Sequence, residues 1–185
     1  MQYYKKIEWN YLKIIAEKSM DYLASHRPDI LERRKNLSFW PIKNLNEFFD
    51  HIPEIQSASA VHGITCTYAA FYSMHRYGDG QEHIDNYIHN ARINLPILNC
   101  TGTLLKYYTG GIPIPYYSPE SSSKMTTHRV LRTPDTVQVA QVEIDAATVI
   151  RVNEIHAIYM PPAAPPRITL TLDFDKDVEF MLAEI

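Results

Sequence analysis

His83-Ile84-Asp85, with His156 far downstream and Arg167 eleven residues beyond it, is the part of this 185-residue chain whose residue types could do chemistry. Two imidazoles and one carboxylate form the donor set that occupies one face of an Fe(II) ion and leaves adjacent positions open. If His83 and Asp85 lie on a strand, side-chain alternation puts both on one face, so one short strand can supply two ligands. A guanidinium matches a carboxylate with two parallel hydrogen bonds and carries a charge that does not titrate away, which gives Arg167 a task beside such a metal. Thr169 falls on the same face as Arg167 and offers a hydroxyl to the same carboxylate.

The triplet alone is a weak signal. With eight histidines in the chain, about 0.4 His-x-Asp triplets are expected by chance. His75 and His89 are the nearest rivals as ligands, and His89 stands four residues after Asp85, a helical spacing that fits poorly beside a strand motif. His26, His51, His62 and His128 have no partner pattern and read as ordinary structural histidines.

The surrounding sequence adds weight. Tyr77-Gly78-Asp79-Gly80-Gln81-Glu82-His83-Ile84-Asp85 opens the region, and Arg167-Ile168-Thr169 closes it. With His156 between them, the segment from about Cys66 to Phe174 resembles the Fe(II)/2-oxoglutarate-dependent dioxygenase superfamily, with the aspartyl/asparaginyl- or prolyl-hydroxylase-like branch as candidates. The resemblance implies Fe(II) on His83, Asp85 and His156, and the distal carboxylate of 2-oxoglutarate on Arg167 and Thr169. It further implies Tyr77 as a cosubstrate contact, dioxygen as oxidant, and hydroxylation of an unactivated C–H bond in a small-molecule or peptide substrate. Prolyl hydroxylases carry a tyrosine in the strand after His-x-Asp, whereas Asn94-Leu95-Pro96-Ile97-Leu98-Asn99 has none. Arg92 and Asn94 share a face in that strand, without an assigned role. Two other classes stay open: a cupin-like metalloenzyme would use the same ligands without needing Arg167, and a non-catalytic jelly roll would need none of them.

Composition sets the frame for these residues. A 21.4 kDa chain with 45% hydrophobic residues is one ordinary domain with a sizeable core. A net charge of −3 and a pI near 6.2 argue against a strongly electrostatic nucleic-acid binder. The sequence has neither a signal-peptide run nor the roughly 20 consecutive apolar residues of a membrane span, so a soluble, cytoplasmic protein is expected. Cys66 and Cys100 form no CxxC and are expected to be reduced and mostly buried.

The elements that must position the site divide into a helical front, residues 1–62, and a strand-rich core, residues 63–176. Helical periodicity from Asn10 to about Ser25, with Asn10 as cap and Pro28 marking the end, predicts one helix; Asn44 to about Ile55 predicts a second. Eight strands are expected near Ile64–Tyr77, Glu82–Asp85, Arg92–Asn99, Thr103–Tyr108, Val137–Ile144, Thr148–Val152, His156–Met160 and Arg167–Phe174. Eight strands behind N-terminal helices suit a double-stranded β-helix, a jelly-roll core of the cupin-like kind with its metal at the barrel mouth. The proline-rich run from Pro161 to Pro166 is a stiff corner between the His156 and Arg167 strands. Residues 109–136, with Gly110-Gly111 and Ser121-Ser122-Ser123, are expected to be an irregular lid over the metal.

Overall fold

The computed structural model describes residues 1–32, 37–75, 78–79, 81–85, 91–116, 127–162 and 164–185. The front of the chain holds β1 (Tyr4–Lys6), α1 (Leu12–His26), α2 (Pro28–Leu31), β2 (Leu37–Pro41), α3 (Leu45–His51) and α4 (Glu54–Val61). The strands that follow are β3 (Cys66–Met74), β4 (Gly78–Asp79), β5 (His83–Asp85), β6 (Ala91–Leu98), β7 (Leu104–Thr109), β8 (Ile112–Tyr116), β9 (Thr127–Leu131), β10 (Val137–Glu143), β11 (Thr148–Arg151), β12 (His156–Met160) and β13 (Arg167–Phe174). A last helix, α5, spans Val178–Glu184.

The strands form two antiparallel sheets. One runs β1-β11-β6-β13-β3-β2 and the other β10-β7-β12-β5-β9-β8. Sequence neighbours β3 and β4, β5 and β6, and β10 and β11 lie in opposite sheets, so the chain repeatedly crosses from one layer to the other. That winding is the jelly roll expected from the sequence, and all eight expected strands occur within a few residues of their expected ends.

The main core lies outside the sandwich. Alternation along β13 sends Ile168, Leu170, Leu172 and Phe174 to one face, where they pack with Ile93 and Leu95 of β6, Phe71 of β3, and Ile15, Leu23, Phe48, Ile52 and Ile55 from the helical front. Each such side chain contributes roughly 1.5–3 kcal/mol by leaving water. A second, smaller cluster of Leu105, Tyr107, Val142, Ile144, Ile150 and Val152 fills one end of the space between the sheets. The other end is left to polar residues. No helix among the described residues is long and apolar enough to cross a membrane.

Three local expectations are corrected. Asn10 does not cap α1: the cap position is Tyr11, held at φ 65° with no side-chain hydrogen bond. The helix expected from Asn44 to Ile55 is two, because α3 ends at His51 and Pro53, which has no N–H to donate, starts α4 at a new angle; Asn44 does cap α3, accepting from the Glu47 N–H at 3.3 Å. The region expected to be an irregular lid carries two strands in its described residues, β8 and β9, which pair with each other and extend the second sheet beyond β5. Pro113 and Pro115 suit an edge strand, since a missing N–H there costs no ladder bond and leaves the edge a poor template for another chain.

The corner from β7 into β8 depends on Gly110. Its φ is +76°, and a Cβ there would lie 2.4 Å from the Asp135 carbonyl oxygen, whereas Gly63, at φ +63°, has nothing within 4 Å. Gly63→Ala should therefore cost only backbone strain, about 1 kcal/mol, and Gly110→Ala at least twice that. Urea unfolding of the two variants checks the difference.

Candidate metal centre

β5 and β12 are adjacent, and His83 is the direct partner of His156 in their register. Partners in an antiparallel pair share a face, so the two imidazoles sit side by side with ring centroids 4.4 Å apart. Asp85, two residues on, returns to the same face, with its Oδ1 3.8 Å from His83 Nε2. One potential ligand atom from each of His83, Asp85 and His156 lies within 4.8 Å of the others. The single strand that brings two of the three together is the one the sequence motif indicates.

Both rings are oriented by the same device. His83 Nδ1 lies 2.8 Å from the Gln81 carbonyl oxygen, and His156 Nδ1 lies 2.8 Å from that of Glu154. A carbonyl oxygen only accepts, so Nδ1 must carry the proton in each ring. In the neutral ring Nε2 is then the nitrogen with a free lone pair, and that of His83 faces Asp85. This is the outer-shell arrangement that fixes tautomer and direction in histidine metal ligands.

The protonation states also suit a cation. Burial pushes the Asp85 carboxyl up, but Arg92 and the two imidazoles outweigh it and hold the pKa below the ordinary carboxylate value. Burial, then the proximity of His83, lowers His156 to about 4. At neutral pH the centre offers one anionic oxygen and a neutral imidazole at His156.

Across the cleft, the opposite sheet presents the polar face of β13: Arg167, Thr169, Thr171 and Asp173, all buried. Arg167 is completely buried, and among the described residues none of Nε, Nη1 and Nη2 has a hydrogen-bond partner of good geometry; its titratable neighbours are the Cys100 thiol and the Tyr72 phenol. An uncompensated buried cation costs several kcal/mol, a cost that an anion beside the fork would offset. Thr169 lies beside it with its hydroxyl 3.5 Å from the Tyr72 carbonyl oxygen.

The sequence motif pointed to Tyr77, which lies outside the described residues, as do Gly80 and His89. It missed Tyr72, on β3 directly opposite Thr169. Burial raises the Tyr72 phenol to about 12; Arg167 opposes that rise and Asp85 adds to it, so the phenol feels both ends of the cleft. The only local signal was its phase, because the neighbouring residues Phe71 and Ser73 face the other way. Arg92, which had no assigned role, reaches from β6 across to Asp85 and also bonds Asp173.

No protein-family model and no curated protein matches the chain. Among solved structures it is similar to a Pseudomonas putida prolyl-4-hydroxylase, at 11% identity over 95% of this chain and 94% of that one, with a TM-score of 0.47. It is also similar to the viral collagen prolyl hydroxylase of Paramecium Bursaria Chlorella virus-1 in its 2OG complex (10% identity, 94% and 96% covered, TM-score 0.45). A third is the epimerase SnoN in complex with Fe3+, alpha ketoglutarate and nogalamycin RO (11% identity, 89% and 83% covered, TM-score 0.43). Identities this low transfer no residue roles, which come instead from this chain's own geometry.

The buried His156 makes acid stability a test of the centre. The unfolded chain takes up a proton on this imidazole near 6.5, while the folded, metal-free protein resists until about 4, so stability falls as pH drops through that window and levels off below it. The loss from this group is on the order of 3 kcal/mol. In His156→Gln the slope of unfolding free energy between those two pH values should shrink accordingly, measured by urea unfolding in the presence of a chelator.

Proposed function

We propose that this chain is a non-haem Fe(II)- and 2-oxoglutarate-dependent oxygenase, with His83, Asp85 and His156 as the metal ligands and Arg167 as the anchor of the cosubstrate's distal carboxylate. The observation that carries the reading is Arg167: a fully buried guanidinium whose three nitrogens have no hydrogen-bond partner among the described residues, linked to a two-histidine, one-carboxylate group through Tyr72, which feels the charges of both Arg167 and Asp85. A metalloenzyme that does not use a dicarboxylate would have no reason to bear that cost.

The residues fit both groups. Three donors on one side of a metal leave the opposite positions for a chelating keto acid and dioxygen. Bound Fe(II) and 2-oxoglutarate supply the oxidising chemistry, which couples dioxygen reduction to decarboxylation and inserts oxygen into an unactivated C–H bond. The chain's own task is to bind, orient and exclude water. Arg167 would hold the distal carboxylate and Thr169 would add a hydroxyl, while Tyr72, opposite Thr169 on β3, feels the charges of both Arg167 and Asp85. The reading keeps the substrate as a small molecule or peptide.

Anaerobic addition of Fe(II) and 2-oxoglutarate should give the weak visible charge-transfer band of the chelate. His83→Ala, Asp85→Ala and His156→Ala should each fold and lose it; full iron occupancy in all three would overturn the ligand assignment.

Arg167→Ala separates cosubstrate from metal. Losing a charge-assisted pair worth roughly 1.5–3 kcal/mol should weaken 2-oxoglutarate binding about 10- to 150-fold while leaving Fe(II) uptake intact. Arg167→Lys should recover part of this, because the ammonium keeps the charge and loses the planar fork. Unchanged 2-oxoglutarate affinity in calorimetry of Arg167→Ala would move the cupin-like alternative ahead.

A further inference from the structure

Asp85 is held from behind. Its Oδ2 accepts from Arg92 Nη1 at 2.8 Å, while Oδ1 is the oxygen that faces His83 Nε2. Arg92 in turn donates from Nε to Asp173 Oδ1 at 2.7 Å. All three residues are buried: Asp85 is 5% exposed, Arg92 7% and Asp173 4%, so water does not compete for these bonds. The chain of contacts also crosses the sandwich. Asp85 belongs to one sheet, whereas Arg92 and Asp173 sit on the neighbouring strands β6 and β13 of the other.

We propose that Arg92 is a positioning residue for the metal centre, with Asp173 as its anchor, and that the pair keeps Asp85 a one-oxygen ligand; this rests on the metal reading above. The guanidinium is planar, so once Nε is tied to Asp173 the direction of Nη1 is set. Asp173 itself is fixed by the β13 ladders to β3 and β6. With Oδ2 engaged by Nη1, only Oδ1 is presented to a cation. A carboxylate free to rotate can bring both oxygens to the metal, and the second would take a coordination position that a chelating cosubstrate needs. The clamp thus keeps the face opposite the protein ligands open. An inter-sheet tie with no further role would support stability and leave the coordination of the metal unchanged, and this difference is measurable.

Co(II) is the probe, because its visible d–d bands report coordination directly and need neither cosubstrate nor turnover. Arg92→Lys keeps the positive charge and removes the second donor of the fork, so it tests geometry at constant charge. It should lower Co(II) affinity about 10- to 100-fold and alter the d–d spectrum. Asp173→Asn touches no ligand, yet should shift the spectrum in the same direction with a smaller loss of affinity. Thr171→Val, which removes the neighbouring 2.9 Å bond to Asn94 Oδ1 and leaves the clamp intact, should leave the spectrum of the wild type. If Arg92→Lys does not fold, Asp173→Asn decides alone. Wild-type affinity and spectrum in the folded clamp variants overturn the proposal while the metal reading stands. Folded wild-type protein that takes up no Co(II) overturns the metal reading, and the proposal with it.

Discussion

Charge withdrawn from water between two sheets is the constraint on which the rest of this structure depends. β6 and β13 are covered on both faces, and the helical front takes the apolar one, so the alternate residues of each strand must face the second sheet. Those residues include Arg92, Asn94, Arg167, Thr169, Thr171 and Asp173. Such a polar lane is tolerable only where its groups find partners. Thr171 bonds Asn94, and Arg92 bonds both Asp85 and Asp173. Arg167, at the other end, finds none among the described residues. The lane is thus tied together by hydrogen bonds at its carboxylate end and not at its guanidinium end.

The formal charges of the cleft make the same point. Counted as formal charges, the carboxylates of Asp85 and Asp173 are offset by the guanidinium groups of Arg92 and Arg167, and burial favours the neutral form of His156. A divalent cation alone would leave a buried excess of two positive charges, and a dianion alone an excess of two negative ones. Bound together they restore balance. In a low-dielectric cleft that difference would amount to several kcal/mol, so a site of the proposed function would favour taking both ligands over taking either one. Because the main apolar cluster lies outside the sandwich, the polar face of β6 and β13 can be arranged for ligands without disrupting the packing that stabilises the chain.

Much of this was legible in the sequence, and the failures have physical reasons. The eight core strands are short β-prone runs in the sequence, and each of those runs is a strand in the fold. That His83 shares a face with Asp85, and Arg167 with Thr169, is legible because alternation within one strand is a local property, while their roles follow from the family resemblance. The role of Arg92 is not legible, since its partner Asp173 is 81 residues away and in another strand. Tyr72 was passed over because it sits in a run rich in aromatic and small residues, where phase alone separates a cleft residue from a core one. β8 and β9 were hidden by Pro113, Pro115 and Gly110-Gly111. Those residues argue against strands in the middle of a sheet and are compatible with a pair at its edge.

That edge pair changes what residues 109–136 contribute to the cleft. β9 pairs with β5 so that Arg129 stands directly opposite His83, and β8 pairs with β9 so that Ile114 stands opposite Arg129 and Ile112 opposite Leu131. Directly opposed residues share a face, so Ile112, Ile114, Arg129 and Leu131 continue the face that carries His83. Ile112, Ile114 and Leu131 are about half exposed, at 53%, 47% and 55%. On the facing sheet the same rule puts Phe39 of β2 beside Tyr72, and Phe39 is also 41% exposed. The described residues of the inserted segment therefore lengthen one wall of the cleft outward from the ligands. A molecule approaching His83 along that wall meets branched aliphatic side chains and one guanidinium before it reaches the charged interior.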